Sequence, residues 1–371
     1  MTQMIDILLI IISIFIFYSF FISLVNIFWK EKKINNGGNY KISVLIPARN
    51  EENNISKCVE SILKSESYFS EILIYNDHSD DNTQIEIDKL LKLDKRIKQA
   101  NTKTLAKGWI GKSFACYQLA KQSLGDWILF VDADTEFSGK IEDLVSLAKE
   151  KNVSMLSAWP KIKMDSMSEK IFMPLLNFVV FSLCPVPFSK KINSKNLGLA
   201  HGACILFNKK VYSELGGHKL VKNDLFEDTR LARIWRVKNK KNYCIDGKDL
   251  ISVKMYSSFT SIWNGFLKNY YPSFSKEVSF FIFQIFFFLS YFLIPIYIIF
   301  RMINSFEILY LILLFFIFLP RIIISIKFKH SLLSVILHPF AILTMIILGF
   351  NSWWNFKYGK GLKWKDRIYE K

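Results

Sequence analysis

Apolar and polar positions divide this chain into two kinds of sequence. Ile7 to Trp29 is an uncharged run, long enough for a helix to cross a bilayer. Three more apolar stretches follow late in the chain, at 278–300, 306–320 and 331–350. Between Tyr40 and about Lys276 the mixture is that of a globular protein. There, Ile42–Ile46, Glu71–Tyr75, Trp127–Val131, Val153–Ala158 and Ala203–Phe207 read as strands, bounded by turn-forming residues. Ile55, Val59, Ile62 and Leu63 recur at helical spacing after Asn50. A second helix is predicted to start near Lys112-Ser113, with Phe114, Ala115 and Leu119 to pack. Strands alternating with helices predict an α/β domain whose mostly parallel sheet is covered on both faces. The expected plan is an N-terminal transmembrane anchor over 1–30, the α/β domain over 41–276, membrane helices over 277–350 and a basic tail over 351–371.

Charge refines this plan. Lys30, Lys32 and Lys33 close the first apolar run, so a retained anchor fits better than a cleaved signal peptide. The positive-inside tendency then places the α/β domain in the cytoplasm. The tail carries Lys357, Lys360, Lys363, Lys365, Arg367 and Lys371, which argues for the same side. Three full spans after a cytoplasmic domain would leave the tail outside. One apolar stretch is therefore expected not to cross: 306–326, interrupted by Pro320-Arg321, or 331–350, with His338-Pro339. The net charge of +17 is better matched to anionic lipid than to nucleic acid, given so much membrane-type sequence. Five cysteines, none in a CxxC pair or at zinc spacing from a histidine, read as neutral thiols of a reducing compartment. Ile171–Phe188 is uncharged and broken by Pro174, Pro185 and Pro187. It fits an interfacial segment or an apolar wall facing a lipid, and equally a buried core connection.

The candidate chemistry sits at predicted strand ends. Asp132 and Asp134 follow the apolar run Trp127–Val131; two carboxylates at that spacing can hold a hard divalent cation, which in turn can hold a diphosphate. Pro47-Ala-Arg49-Asn-Glu51-Glu52 closes the first strand and opens the first helix. Free N–H groups and carboxylates there suit a nucleotide base or ribose, although plain helix capping explains the same residues. Asp77 ends the next strand. Lys107-Gly-Trp-Ile-Gly-Lys112 puts a lysine where a glycine frees the backbone and a helix begins, which suits phosphate. The glycine spacing is not that of a Walker A loop. Glu227-Asp228 can be an acidic helix start or a catalytic pair. His201 and His218 have no partners at metal-ligand spacing.

The ordered set Ile46-Pro-Ala-Arg-Asn-Glu-Glu52, Tyr75-Asn-Asp-His-Ser-Asp-Asp81, Gly108-Trp-Ile-Gly-Lys-Ser-Phe-Ala115 and Phe130-Val-Asp-Ala-Asp134 resembles the inverting family 2 glycosyltransferases of GT-A fold. His201-Gly-Ala-Cys-Ile-Leu206, Gly216-Gly-His218, Phe226-Glu-Asp228, Met255-Tyr256, Trp263-Asn-Gly-Phe-Leu-Lys-Asn269 and the tail Tyr358–Tyr369 narrow the likeness. They resemble the membrane-associated branch that glycosylates carotenoid acids and is related to the hopene-associated enzymes. The resemblance runs over roughly 41–369.

The resemblance implies a role for each motif. Asp228 would be the general base, and Glu227 would orient it or shape the acceptor site. Pro47, Arg49, Glu51, Asp77, Lys112 and Asp132 would bind the donor. Asp132 and Asp134 would take Mg2+ or Mn2+. Gly202, Gly217, His218, Trp364 and Arg367 would serve the sugar or the acceptor. The implied partners are a nucleotide-sugar, UDP-glucose by default, and a lipid in the bilayer, a carotenoid or other isoprenoid. The QxxRW motif of processive synthases has no clean match, Lys268-Asn269 standing in that stretch. A non-processive transferase is therefore expected; a processive polysaccharide synthase and an inactive sugar-nucleotide-binding scaffold are the alternatives.

Overall fold

The computed structural model describes residues 2–31, 38–359, 362–364 and 367–369. The chain forms two compact units, each discontinuous in sequence. One is Lys30–Lys163 with Phe188–Met255, and the other is Met1–Trp29, Met164–Pro187 and Tyr256–Lys371. Residues 164–187 and 256–276, expected within the α/β domain, thus group with the helical unit.

The sheet unit holds strands β1 (Ile42–Ala48), β2 (Glu71–Asn76), β3 (Ile97–Gln99), β4 (Trp127–Val131), β5 (Thr135–Phe137), β6 (Met155–Trp159), β7 (Lys161–Ile162), β8 (Cys204–Asn208), β9 (Asn242–Asp246) and β10 (Ile251–Val253). Seven of them make one sheet in the order β3-β2-β1-β4-β8-β6-β9. All neighbours run parallel except at β8, which is antiparallel to both β4 and β6. β5, β10 and β7 form a separate small sheet. The mostly parallel α/β architecture expected from the alternation is present.

Both faces of the large sheet are covered, which explains why its strands read as continuous apolar runs. On one face Val44, Ile46, Leu129 and Val131 pack with Ile55, Val59 and Ile62 of the helix Ile55–Lys64 and with Leu144 and Val145 of the helix Ile141–Glu150. On the other, Leu45, Ile128 and Phe130 meet Ala115 and Leu119 of Gly111–Gln122 and Leu231 and Trp235 of Glu227–Val237. Register places the functional edge: Val131, last residue of β4, is opposite Cys204, first residue of β8. The turn carrying Asp132 and Asp134 therefore lies beside the turn carrying Gly202.

Among the described residues of the helical unit, three helices are long and apolar enough to cross a membrane: Ile7–Ile27, Glu277–Asn304 and Ile308–Phe328. The second contains a π turn at Leu289–Leu293, and the third carries Pro320 inside it. The stretch 331–350 divides into Leu332–Ile336 and His338–Tyr358, with Pro339 opening the longer helix, where its missing N–H costs nothing.

Ile171–Phe188 is not an exposed apolar wall. Phe178 and Phe181 are fully buried. Phe178 packs against Phe287, Tyr291 and His338, and Phe181 against Trp29 and Phe328. Asn26 ties the segment down, donating to the carbonyls of Phe181 and Cys184 at 2.8 Å each and accepting from Val186 N at 3.1 Å. The buried-core alternative describes this segment. Leu362–Trp364 (β11) pairs with Arg367–Tyr369 (β12); the side chains of Trp364 and Arg367 and residues 360, 361, 365, 366, 370 and 371 lie outside the described set.

Candidate active site

Lys112 stands in the first turn of Gly111–Gln122. Its Nζ lies 2.8 and 3.0 Å from the two carboxylate oxygens of Asp132 and 2.9 Å from Oε1 of Glu227. One ammonium thus joins the turn after β4 to the start of the helix Glu227–Val237. Burial works against its charge, but Asp132 and Glu227 outweigh this and hold the ammonium well above its usual range.

Asp228 is fixed on the same floor. Its Oδ2 accepts from Gly202 N at 2.9 Å and its Oδ1 from Thr229 N at 2.6 Å. Thr229 is tied in turn to the Ala200 carbonyl at 3.0 Å. Burial, then the neighbouring Glu227 carboxylate, pushes the Asp228 carboxyl up to about 7. A carboxylate in that range can both hold and release a proton near neutral pH.

Gly202 is the point of closest approach. A Cβ there would lie 3.0 Å from Lys112 Nζ, 3.1 Å from Asp132 Oδ2 and 3.6 Å from Asp228 Oδ2. The sequence-predicted Lys112, Asp132, Gly202, Glu227 and Asp228 therefore converge on one small volume. Asp134 lies on the same turn as Asp132, partly buried.

The loops after β1 and β2 form a second cluster. Arg49 Nη1 donates to the carbonyls of Asp77 and His78 at 2.7 Å each, and Nη2 meets Asp80 at 3.2 Å. Glu51 N donates to Thr83 Oγ1 at 2.7 Å. Pro47 sits opposite Tyr75 in the β1–β2 pair. Asp77 is buried at the end of β2.

Gly217 and His218, expected to serve the sugar or acceptor, stand beside Tyr212. His218 is buried and shares a 2.7 Å hydrogen bond with the Tyr212 hydroxyl. Phe130 packs on it at 4.8 Å between ring centroids. Burial drives its pKa down to about 3, so it is neutral. Gly217 has φ of +51°, and a Cβ there would fall 2.2 Å from the Tyr212 ring. Both residues pack against Tyr212. The signal was Tyr212 itself, six residues before His218.

The donor set suits a hard cation. Carboxylates on one turn are the ligands Mg2+ and Mn2+ take, usually with phosphate oxygens and water completing the shell. No group of three acidic, histidine or cysteine side chains among the described residues is gathered to hold a metal alone. Asp132 and Asp134 fit an ion that arrives with a diphosphate.

Residues 43–216 of the chain match the family model Glycosyl transferase family 2. Among curated proteins it is similar to 4,4'-diaponeurosporenoate glycosyltransferase of Staphylococcus haemolyticus, 28% identical over 248 residues, covering 64% of this chain. The Staphylococcus aureus (strain USA300) protein of the same name is 25% identical over 252 residues, also 64% of this chain. The chain spans 63% of the length of each relative. The mannosyltransferase PcManGT of Pyrobaculum calidifontis, solved with GDP-Man and Mn2+, shares the fold with a TM-score of 0.54 at 13% identity, over 94% of this chain and 99% of its own.

Proposed function

We propose that this protein is an inverting, non-processive glycosyltransferase that moves one sugar from a nucleotide-sugar to the polar end of a membrane lipid. The observation that carries this reading is the convergence of Lys112, Asp132, Glu227 and Asp228 around Gly202. An in-line displacement needs charge neutralisation on the leaving diphosphate on one side and, where the acceptor is a hydroxyl, a proton acceptor on the other. Lys112 and the turn of Asp132 and Asp134 supply the first side, and Asp228 the second. A bound Mg2+ or Mn2+, held by Asp132 and Asp134, would neutralise the leaving diphosphate.

Lys112 exchanges its carboxylate partners for diphosphate oxygens when the donor binds. Asp77, Glu51 and Pro47 receive the nucleoside end, with Arg49 holding the Asp77 loop in place. Gly202 N–H keeps Asp228 aimed while its outer lone pairs take the acceptor proton. Glu227 repels charge on Asp228 and so raises its basicity. The acceptor attacks the anomeric carbon on the face opposite the departing nucleoside diphosphate, which inverts the configuration.

The lipid acceptor is supported by three apolar helices of spanning length and by the relatives, whose name specifies a carotenoid acid. A carotenoid or other isoprenoid is the proposed class. A cytoplasmic sheet unit is the orientation that Lys30, Lys32 and Lys33 after the first span favour. Expression in a host that makes candidate lipids, followed by mass spectrometry of lipid extracts, tests the reading. Lipids one hexose heavier than their precursors are expected, and none with an empty vector.

A further inference from the structure

His201 lies at this site, and the roles assigned above leave it unused. Its backbone is clamped by one hydroxyl: Ser157 Oγ accepts from His201 N at 2.9 Å and donates to its carbonyl at 3.2 Å. Its ring is fixed as well. Nδ1 accepts from Ala203 N at 3.2 Å, and the buried indole of Trp159 packs against the imidazole at 5.0 Å with the planes 77° apart. An Nδ1 lone pair that accepts a backbone N–H must belong to the tautomer protonated on Nε2. Burial lowers the ring's pKa to about 4, so that tautomer is neutral at physiological pH.

The result is a rigid N–H donor without charge. Among the described residues none accepts from Nε2, and that atom is not among the buried polar atoms lacking a partner. The charges that act on the ring are Asp132 and Lys112, the pair assigned to the diphosphate. The next residue, Gly202, holds Asp228 through its N–H. The ring is thus close enough to feel the Lys112–Asp132 pair and is one residue from the amide that holds Asp228, beside the volume a transferred sugar would enter. Lys112 already supplies the charge a phosphate needs. A neutral donor held by four contacts suits an uncharged oxygen.

We propose that His201 Nε2–H donates to a hydroxyl of the transferred sugar and makes His201 a residue that determines sugar recognition. The inference rests on the nucleotide-sugar reading of the site. It predicts a split between the nucleotide and its sugar that neither the fold nor the diphosphate contacts would produce.

The test is calorimetric titration of the full-length protein in detergent with Mn2+, using UDP, UDP-glucose, GDP and GDP-mannose. The wild type binds one nucleoside diphosphate and its sugar form. For that pair, His201→Phe weakens the sugar form about five- to tenfold, the scale of one neutral hydrogen bond, and leaves the bare diphosphate within about twofold. His201→Gln, which keeps an N–H near Nε2, restores most of the loss. If His201→Phe does not fold, His201→Ala supplies the same comparison. Equal weakening of both ligands, or of neither, overturns the role of His201. A wild type that binds none of the four overturns the transferase reading itself.

Discussion

Two clusters of acidic and polar side chains stand at the same edge of the sheet, and they spend their hydrogen bonds in opposite ways. In the loops after β1 and β2 the groups satisfy one another. Arg49 closes on the Asp77 and His78 carbonyls, Asn50 Oδ1 takes Asp80 N at 2.9 Å, and Glu52 Oε2 takes Asn82 N at 3.0 Å. Those contacts hold Asn50 and His78 at positive φ, 52° and 54°, conformations that cost energy elsewhere in a chain. Around Gly202 several carboxylates meet one ammonium. Asp132 and Glu227 both pair with Lys112, and burial with the like charge of Glu227 holds the Asp228 carboxyl near 7. Carboxylates gathered and perturbed in this way mark a candidate functional site. In the proposed reaction the first cluster shapes the site and the second carries the chemistry.

Substitutions in the second cluster should cost turnover far more than stability. Asp228→Asn should lower kcat for a hydroxyl acceptor by about 10²–10⁴-fold, the range of general-base catalysis, with donor affinity little changed by titration. Asp134→Ala, or chelator added to the wild type, should cost about 10²–10³-fold, with Mn2+ restoring only the chelated wild type. Full activity in excess chelator would refute the metal assignment. Gly202→Ala should fold, since Gly202 has no positive φ, yet lose about 10–100-fold because a methyl group would press on Lys112 and Asp132.

The pH profile sharpens the same contrast. Asp228 acts as base only when ionised, and its pKa is raised to about 7. Lys112, Glu227 and Asp132 are the charges acting on it. The rate with a hydroxyl acceptor should rise about tenfold per pH unit below 7 and level off above it. A flat profile between pH 5 and about 8 would remove Asp228 from the base role. The smallest effect on turnover belongs to the first cluster. Arg49→Met should cost about 1.5–3 kcal/mol of stability and raise the donor KM by no more than about tenfold, with kcat little altered. A thermal melt and a donor titration on one preparation would show whether the clusters divide in this way.

The sequence made some of this legible and hid the rest for physical reasons. The parallel strands announced themselves as apolar runs ending in Asp77 and Asp132, because a strand buried on both faces is apolar throughout. The direction of β8 was hidden, since Ala203–Phe207 reads the same either way. That direction is what brings Gly202 to Asp132, so the contact of Lys112 with Glu227 was equally invisible. β3 and β7 are too short, at three and two residues, to leave a periodic signal. Apolar character alone left Ile171–Phe188 open between a lipid-facing wall and a core, and the packing of Phe178 and Phe181 decides it. His201 was visible as a motif residue, but its fixed tautomer depends on Ala203 and Ser157, which no spacing reveals.

Transfer of a sugar to a lipid by the Gly202 cluster, with Asp228 as the base, should be written in the lipids of the host. The most direct measurement is mass spectrometry of lipids from one host expressing either the wild type or Asp228→Asn at equal membrane abundance. The account predicts a lipid carrying one added hexose with the wild type and its near absence with Asp228→Asn, while both purified proteins bind the donor nucleotide alike. The same glycolipid at the same level from both proteins would contradict it.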